Sequence, residues 1–418
     1  MVTARSEGTI HVVGAGIIGT AIAFELQRRG KQVTLIDKAG VGCGASYGNM
    51  ASIASTEFMP LSRPSVWKKI PGWLMAANGP VRIQPAHLPR LLPWFWRFVE
   101  AGRRSRVREL EDAGAALSWR IYDDLLPMLD AAGARDFLSS NGTMSIYTDE
   151  REFKADREHI DLMDRYQLPY EILTGEAIRD REPAIGAAIK YALLLPDNRT
   201  IRDPFELVVC LARNFQNMGG TILQGNVVGL ERLENRIARL MLDDGRSVSV
   251  EKLVLSAGVH TSRLARLVGE YLPLESERGY HTQLMSPGIE LGHALLWPSR
   301  AFMISPTAGG IRIGGTVEMA SMEAPPDFRR ARTLVSSARS ILPGLQSQEL
   351  KEWMGHRPAL PDTIPVIGPS KNIENMLYAT GHGHLGLTYS ATTARLIADL
   401  LTETIPPLDM SPYRVDRF

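Results

Sequence analysis

The chain has 418 residues, with 47 basic and 46 acidic side chains, so its formal net charge is +1. This balance argues against a nucleic-acid binder that depends on bulk positive charge. The length suggests two or three domains, and a hydrophobic fraction of 44% is ample for a sizeable core. Two cysteines, Cys43 and Cys210, are too few for a disulfide framework or a multi-cysteine metal site, and we expect no metal.

No apolar run approaches the roughly 18 residues that a membrane span needs. The N-terminus enters the first predicted strand without the apolar segment of a signal peptide. We therefore expect a cytoplasmic protein.

The first predicted unit is a buried strand, a glycine turn and a helix. The strand covers residues 10–13, and Gly14, Gly16 and Gly19 have the spacing G-x-G-x-x-G. Such glycines permit a tight turn, the approach of a pyrophosphate and close helix packing, and an acid roughly 20 residues later binds a ribose. Asp37, at the end of the next predicted strand, is that acid. The pattern predicts a dinucleotide site.

The loop over residues 38–52 has four glycines and carries Ser46 and Asn49. Backbone N–H groups and small side-chain donors in such a loop can bind phosphate oxygens. The alternative is a flexible surface loop, but its position just after Asp37 favours a role at the cofactor.

Residues 58–100 differ in composition from the rest of the chain. They hold seven prolines and four of the seven tryptophans, interleaved with basic residues. We favour an inserted region whose short helices pack by their tryptophans. The alternative is an aromatic and basic anchor at a membrane interface. The tryptophans are Trp67, Trp73, Trp94 and Trp96.

Hydrophobic periodicity and turn signals predict the elements that follow. The helices are expected over 107–139, 149–167 and 176–183, and from Asp203-Pro204 to residue 219. The strands are expected over 143–147, 221–224, 226–241 with a hairpin at 235–236, 246–255, 277–284 and 310–316. The strand over 246–255 returns the chain to the nucleotide fold.

The C-terminal part repeats the arrangement of strand, glycine turn and helix. A strand over 375–381 leads into the turn 381–388 and a helix over 389–404. Two such turns suggest one elongated ligand held at two points, which favours FAD over NAD. The second helix N-terminus would stabilise the reduced flavin as an anion.

With these motifs in place, the chain resembles the D-amino-acid oxidase superfamily of FAD-dependent oxidoreductases, and within it the bacterial D-amino-acid dehydrogenases. The resemblance covers nearly the whole chain. One difference is His384, where those dehydrogenases carry another residue. The motifs that carry it are the first glycine turn with Asp37, Ser46-x-x-Asn49, and the strings 278–280, 312–318, 355–368 and 381–386.

The resemblance implies an α/β fold with a Rossmann-like FAD-binding domain assembled from discontinuous segments. It also implies an α+β substrate domain with a large mixed sheet. We expect FAD-binding segments at 1–57, 196–270 and 353–418, and substrate-domain segments at 58–195 and 271–352. The expected FAD contacts are Gly14, Ala15, Gly16, Ile17, Ile18, Gly19, Asp37, Lys38, Ser46, Gly48, Asn49, Met50, Val228, Ala257, Gly258, Gly383, Gly386, Leu387 and Thr388.

The candidate substrate residues follow from the chemistry of an amino acid. A carboxylate calls for a bidentate cation, for which Arg278, Arg312 and Arg357 are candidates. Tyr280 is expected to bind the same carboxylate or to pack in the sheet. His382 and His384 are expected to accept the amine proton or orient the substrate, or else to satisfy backbone groups.

The resemblance implies oxidative deamination of D-amino acids, or of a cyclic imino acid such as a hydroxyproline. Hydride transfer from the α carbon to flavin N5 would give an imine and then a keto acid, and electrons would pass to a quinone or carrier. One alternative is a sarcosine- or glycine-type amine oxidase that uses oxygen. Another is the flavin-binding subunit of a multi-subunit amine dehydrogenase. A peripheral contact with the inner membrane stays open.

Overall fold

The computed structural model describes residues 8–75, 79–346 and 348–418, and every structural statement below concerns these ranges. Residues 1–7, to which the signal-peptide prediction refers, lie outside them. The strands, in chain order, are β1 (Ile10–Val13), β2 (Val33–Asp37), β3 (Ser52–Ile53), β4 (Val81–Ile83), β5 (Leu138–Ser139), β6 (Thr143–Tyr147), β7 (Glu171–Thr174), β8 (Tyr191–Leu195), β9 (Arg199–Ile201), β10 (Thr221–Gln224), β11 (Val227–Leu233), β12 (Arg236–Leu242), β13 (Ser247–Ser249), β14 (Lys252–Leu255), β15 (Glu275–Met285), β16 (Ala294–Trp297), β17 (Phe302–Thr307), β18 (Gly310–Met319), β19 (Glu349–Ala359), β20 (Val366–Pro369) and β21 (Met376–Thr380). The α-helices are α1 (Ile17–Arg28), α2 (Pro64–Met75), α3 (Leu88–Ala101), α4 (Arg104–Trp119), α5 (Ile121–Ala131), α6 (Glu150–Ala155), α7 (Arg157–Tyr166), α8 (Glu176–Arg181), α9 (Pro204–Asn217), α10 (Thr261–Arg266), α11 (Arg329–Ile341) and α12 (Ser390–Leu401).

A six-stranded sheet forms the nucleotide-binding half, in the order β10-β2-β1-β14-β21-β20. All its pairings are parallel except the last, between β20 and β21. Strands β1 and β21 are fully buried, because the apolar stripes of α1, α9 and α12 cover the sheet in one core. A sheet buried in this way needs nearly continuous apolar strands, and the sequence supplies them.

The second sheet has nine strands. Eight follow the order β19-β15-β18-β17-β16-β6-β8-β7, and β4 pairs with β18. Most pairings are antiparallel, but β16 with β6 and β18 with β4 are parallel. This large mixed sheet and the mainly parallel sheet confirm the predicted fold class.

Several elements differ from their predictions. The helix expected over 107–139 is two helices, α4 and α5, separated at Arg120, and a short 3-10 turn follows. The helix expected over 149–167 is also two helices, α6 and α7, and α7 buries Ile160, Leu162 and Met163. The strand expected over 246–255 is divided between sheets: β13 pairs with β12, and β14 lies in the parallel sheet.

Strand β19 is an element that the sequence did not predict. Its eleven residues pair with β15 along its whole length. The strand escaped prediction because its sequence, ELKEWMGHRPA, is mostly polar, interrupted by glycine and proline. The expected segment boundary between residues 352 and 353 falls inside it.

The tryptophan-rich region forms α2 and α3 beside the end of the large sheet. Trp94 is buried, stacks on Phe98 at 5.2 Å between ring centroids, and packs with Leu91. Three apolar side chains of α3 point outward instead: Leu88 is 47% exposed, Leu92 is 58% exposed and Trp96 is 70% exposed. The region therefore buries some of its apolar side chains against the sheet and exposes others.

Candidate active site

The two glycine turns leave the same edge of the parallel sheet. Strands β1, β14 and β21 are parallel neighbours, so the turns that follow β1 and β21 both lie at the carboxyl ends of the strands. Helices α1 and α12 then run side by side, joined by the 2.7 Å ion pair between Arg29 and Asp399. In open α/β sheets this edge is where ligands bind.

The first turn requires its glycines for different reasons. Gly14 has φ +106°, and a Cβ there would lie 2.5 Å from the carbonyl oxygen of Ser256. A Cβ at Gly19 would lie 1.8 Å from the carbonyl oxygen of Gly14, so this glycine lets the helix approach the turn. The side chain of Ser46 caps α1, because its Oγ accepts the N–H of Ile17 at 2.9 Å.

Asp37 lies against this turn from the end of β2. One carboxylate oxygen accepts the N–H of Ala15 at 2.8 Å, and the other accepts those of Ala39 and Gly40. These bonds fix the carboxylate beside the start of α1, where the sequence predicted the ribose contact. Lys38 follows, with its Nζ 3.0 Å from Nε2 of His260. Burial and the Lys38 charge lower the pKa of His260 to about 4.

Three side chains of the large sheet bind the backbone of the loop after Ser46. The Nδ1 of His281 lies 3.0 Å from the carbonyl oxygen of Gly48. Arg312 donates to the carbonyl of Asn49 at 2.6 Å, and Ser305 donates to that of Met50 at 2.7 Å. The loop is therefore held between the two sheets, and its predicted cofactor contacts lie at their junction.

The remaining expected FAD contacts are distributed around the same edge. Val228 lies at a register shift between Val227 and Gly229. Ala257 and Gly258 follow β14, and Gly258 has φ +56° with open space where a Cβ would project. The oxygen of Gly258 accepts a hydrogen bond from Thr380, at the end of β21.

The second turn joins the parallel sheet to the large one. Gly383 donates to the carbonyl of Pro358 at 3.0 Å, and His382 forms a bridge with Ala359, at the end of β19. Gly383 has φ +52° and, like Gly258, open space beyond its Cα. Thr388 accepts the N–H of Ala54 at 3.1 Å. Gly386 and Leu387 complete the turn before α12.

The two histidines of this turn have different surroundings. His382 is buried, with its Nε2 3.0 Å from Oγ1 of Thr393. His384 is exposed and lines a cavity together with Glu277, Glu57 and Tyr389. Burial lowers the pKa of His382 to about 3. Desolvation by the protein atoms around His384, with the Arg357 charge, lowers the pKa of His384 to about 4. Both rings are neutral at physiological pH.

Strand alternation separates the candidate substrate residues. Side chains at 277, 279, 281 and 283 of β15 lie on the face that meets the FAD-binding half, which we call the cofactor face. Those at 278, 280 and 284 lie on the face covered by α11, which we call the helix face. His281, which binds the loop at Gly48, marks the first face. Leu284, which shares a core with Leu334 of α11, marks the second.

Arg357 lies on the cofactor face. Its guanidinium crosses Gly279 so closely that a Cβ there would lie 2.4 Å from the guanidinium carbon. One nitrogen donates to the carbonyl of Thr316 at 3.0 Å. Burial lowers the pKa of Arg357, although Glu277 opposes this. Arg312 is on this face too, but it donates both to Gln283 and to the loop at Asn49.

Arg278 and Tyr280 lie on the helix face, where both bind Glu318. Arg278 is fully buried, with one nitrogen 3.3 Å from Glu318 and another donating to the carbonyl of Ala324 at 2.9 Å. The Tyr280 hydroxyl donates to Glu318 and accepts the N–H of Asp327. The Arg357 charge acts on His384, so these two residues lie near each other. Neither Arg278 nor Tyr280 lines the cavity of His384.

Four residues of the cofactor face were missed in the sequence: Glu277, His281, Ser305 and Trp353. The Trp353 ring stacks on His281 at 5.2 Å and lies over Gly48, where a Cβ would be 2.2 Å from it. The period of two in β15 was a usable signal, because Arg278 and Glu277 cannot face the same way. For Trp353 there was no such signal in the sequence, because strand β19, on which it lies, was not predicted.

These features fit FAD. The glycine cradle, the start of α1 at Gly16, the fixed Asp37 and the open space at Gly258 and Gly383 follow one edge that spans both turns. An elongated dinucleotide needs such an edge, with N–H groups for its pyrophosphate at one end. Among the described residues, no cluster of His, Cys, Asp or Glu has the arrangement of a metal site, and no helix is long and apolar enough to cross a membrane.

The comparisons with known proteins agree with this site. The family model described as DAO, FAD dependent oxidoreductase, matches residues 9–400, so the chain belongs to that family. It is 32% identical over 419 residues to a D-amino-acid oxidase of Bradyrhizobium diazoefficiens, which covers 98% of both chains. It is 29% identical to D-amino acid dehydrogenase 2 of Ralstonia nicotianae, covering 98% of this chain and 100% of that one.

Among solved structures, glycine oxidase of Geobacillus kaustophilus has the same fold, with a TM-score of 0.74 at 20% identity over 98% of both chains. The chain is thus an FAD-dependent oxidoreductase, and the predicted family, enzyme class and cofactor are confirmed. The individual site residues stay predictions.

Proposed function

We propose that this enzyme oxidises D-amino acids, or a cyclic imino acid, to the imine and hence to a keto acid. The observation that carries the proposal is Arg357, a half-buried cation on the cofactor face. It lies opposite Glu277, which lines the cavity at the second glycine turn. Arginine in such a place suits a substrate carboxylate, which it binds with two parallel hydrogen bonds. The names of the two relatives support the same substrate class.

Each part of the site has a task in this proposal. FAD, when bound, supplies the hydride acceptor. Arg357 fixes the carboxylate and so orients the α carbon. The neutral rings of His382 and His384 shape the turn without adding charge. Arg312 positions the loop at Asn49 instead of binding the substrate. Arg278 and Tyr280 stabilise the sheet from its other face.

Anaerobic reduction tests this proposal. The FAD-loaded protein is mixed with D-amino acids, D-proline and hydroxyproline isomers, and loss of the oxidised-flavin absorbance is followed. We expect bleaching by at least one of them and none by its L enantiomer. A fully loaded protein that none of these substrates bleaches would overturn the proposal.

The alternatives give other outcomes in the same assay. The narrow cavity also suits a small amine, so bleaching by sarcosine or glycine alone would indicate an amine oxidase. Activity that appears only with a second protein would indicate a flavin-binding subunit. We propose a quinone or other carrier as electron acceptor, and rapid oxygen uptake during turnover would contradict that part.

We extend the proposal to a peripheral contact with an anionic membrane surface. Leu88, Leu92 and Trp96 form an exposed apolar stripe along α3 at spacings of four residues. Basic residues Lys68 and Lys69 on α2 and Arg90 on α3 are exposed nearby in the chain. Apolar and basic groups together suit an anionic interface. We expect flotation with phosphatidylglycerol vesicles at low salt, weakened in Trp96→Ala. No flotation at low salt would refute the contact.

The segment division given above stays part of the proposal, with one refinement. Because β19 pairs along its whole length with β15, we assign residues 349–359 to the substrate domain. The third FAD-binding segment then begins after residue 359.

A further inference from the structure

Glu277 is a buried carboxylate that no mechanism above uses. Its side chain is 8% exposed and lines the cavity beside His384. Within the ranges that the structure describes, no hydrogen bond or ion pair reaches its oxygens. Burying an unpaired carboxylate is costly, so such a group is a candidate for a functional role.

Glu277 and Arg357 lie opposite each other in the β15–β19 ladder, with both side chains on the cofactor face. The guanidinium of Arg357 leans across Gly279 and has one acceptor, Thr316, among the described residues. The face therefore carries one negative and one positive group on neighbouring strands. Directly opposed residues have Cβ atoms about 5 Å apart.

This spacing fits the zwitterion of an α-amino acid. Its carboxylate and ammonium are attached to the same carbon, so both can be bound by two charges on adjacent strands. The charged group of a basic substrate side chain lies several bonds away from the α carbon, so it would not match the spacing of Glu277 and Arg357. The other titratable groups around the cavity are His384 and His382, which are neutral, Glu57, which lies 3.6 Å from His159, and Tyr389, whose hydroxyl pairs with Ser118.

We propose that Glu277 receives the α-ammonium group of the substrate and takes its proton, while Arg357 holds the carboxylate. The proton moves from the ammonium nitrogen to a Glu277 carboxylate oxygen, which leaves a neutral amine and a neutral carboxylic acid. The nitrogen lone pair then forms the C=N bond of an iminium as the α hydrogen leaves as hydride, for which FAD would supply the acceptor. This inference rests on the proposed function, whose substrate it describes.

The acid–base properties of Glu277 suit this task. Burial raises the pKa of its carboxyl above the ordinary range, and the Arg357 charge opposes that rise. A raised pKa makes the carboxylate a better proton acceptor at neutral pH. Since Glu277 must be ionised to act, kcat/KM is expected to fall as the pH drops through that raised pKa.

A ligand that cannot react separates binding from turnover. 2-Aminoisobutyrate has no α hydrogen, and isobutyrate is the same molecule without the amine. Titration calorimetry of the FAD-loaded enzyme gives both affinities. In Glu277→Gln we expect 2-aminoisobutyrate to bind at least about tenfold more weakly, with isobutyrate changed less than about threefold.

If Glu277 merely holds Arg357 in place, both ligands lose affinity together, and the proposal is overturned. Glu275→Gln is the matched control, two residues earlier on the same face and paired with His87; it should change neither affinity. The acid limb of the kcat/KM profile should disappear in Glu277→Gln and return in Glu277→Asp. An unchanged limb in Glu277→Gln would also overturn the proposal.

The wild type provides a test that needs no variant, should Glu277→Gln fail to fold. Binding of 2-aminoisobutyrate is measured in buffers that differ in ionisation enthalpy. Transfer to Glu277 keeps the proton in the complex, so about zero protons should reach the buffer at neutral pH, whereas about one would appear if the amine were deprotonated by solvent. Release of that proton would refute the transfer. If no D-amino acid bleaches the flavin, the proposed function fails separately, and these binding results still decide the role of Glu277.

Discussion

The large sheet carries an arginine and a glutamate on each of its two faces around β15, but they form an ion pair on only one of those faces. On the helix face, Arg278 is fully buried with Glu318, and Tyr280 shares that carboxylate. On the cofactor face, Arg357 and Glu277 lie opposite each other without an ion pair within 4.0 Å in the described part of the chain. Charges that are already paired hold a fold together. Charges left apart in a cavity remain available to a ligand.

This contrast teaches that burial alone does not identify a substrate-binding arginine. Arg278 is the more deeply buried of the two, but its partner is an internal carboxylate. Arg357 has a backbone carbonyl as its partner and retains donors for a carboxylate from outside. Variants at the two faces should therefore separate stability from activity.

The largest expected effect is on stability, from Arg278→Met. Removing one member of a buried ion pair leaves Glu318 uncompensated and typically costs about 3–5 kcal/mol in the free energy of unfolding. Chemical denaturation of the FAD-loaded protein measures this loss, and the KM of the folded fraction should not change. The double variant Arg278→Met with Glu318→Gln should recover most of the stability. A large rise in KM with little loss of stability would place Arg278 in the substrate site.

Arg357→Met should reverse that pattern. Loss of a bidentate, charge-assisted contact to a buried carboxylate is expected to lower kcat/KM about 100-fold, which corresponds to about 3 kcal/mol. Steady-state kinetics with the best substrate of the bleaching assay measure it. Arg357→Lys keeps the charge but loses the planar fork, and should recover the activity in part. Unchanged kcat/KM in Arg357→Met would assign the carboxylate to another residue.

Tyr280→Phe should have a smaller effect, again on stability. The change removes the hydroxyl that donates to Glu318 and accepts from Asp327, at a cost of about 1–2 kcal/mol. Because Tyr280 lies on the helix face, kcat should stay within about twofold of wild type. A drop in kcat without a drop in melting temperature would restore Tyr280 as a catalytic candidate.

The smallest expected effect is that of His384 on pH dependence. Its pKa of about 4 means that the ring takes up a proton only under acidic conditions. His384→Gln should therefore leave the shape of the kcat/KM profile unchanged above about pH 5. An ionisation near neutral pH that disappears in this variant would show that the ring is the proton acceptor after all.

Much of the architecture was predictable because it depends on local sequence patterns. The glycines at 14, 16 and 19, the acid at 37 and the second turn at 381–388 gave the family and the cofactor. The helix that begins at Asp203-Pro204 was predicted by its cap, and the Asp203 side chain accepts the N–H of Glu206. Where prediction was wrong, as for the single helix over 107–139, the boundary depended on packing between helices.

The candidate site was less predictable, because it depends on which face each strand turns inward. Arg278, Arg312 and Arg357 look alike as arginines near glycines, and β19 lacks the apolar alternation that would have revealed it as a strand. Glu277 was not predicted, because the sequence alone does not say whether Glu277 or its neighbour Arg278 faces the FAD-binding half. These outcomes were set by pairing between residues some 80 positions apart, such as Glu277 with Arg357.

The sequence by itself determined that this chain has a dinucleotide site, since a glycine turn with its acid is a local device whose spacing the backbone dictates, and its second glycine turn favoured FAD. It also determined the alternation of strands and helices that builds the parallel sheet. The tertiary structure alone decided how the arginines divide between stability and substrate. A side chain's face is fixed only when its strand is paired and one side of the sheet is covered, as α11 covers β15. The loop at 46–50 likewise became part of a site only when His281, Ser305 and Arg312 bound its backbone across the two sheets.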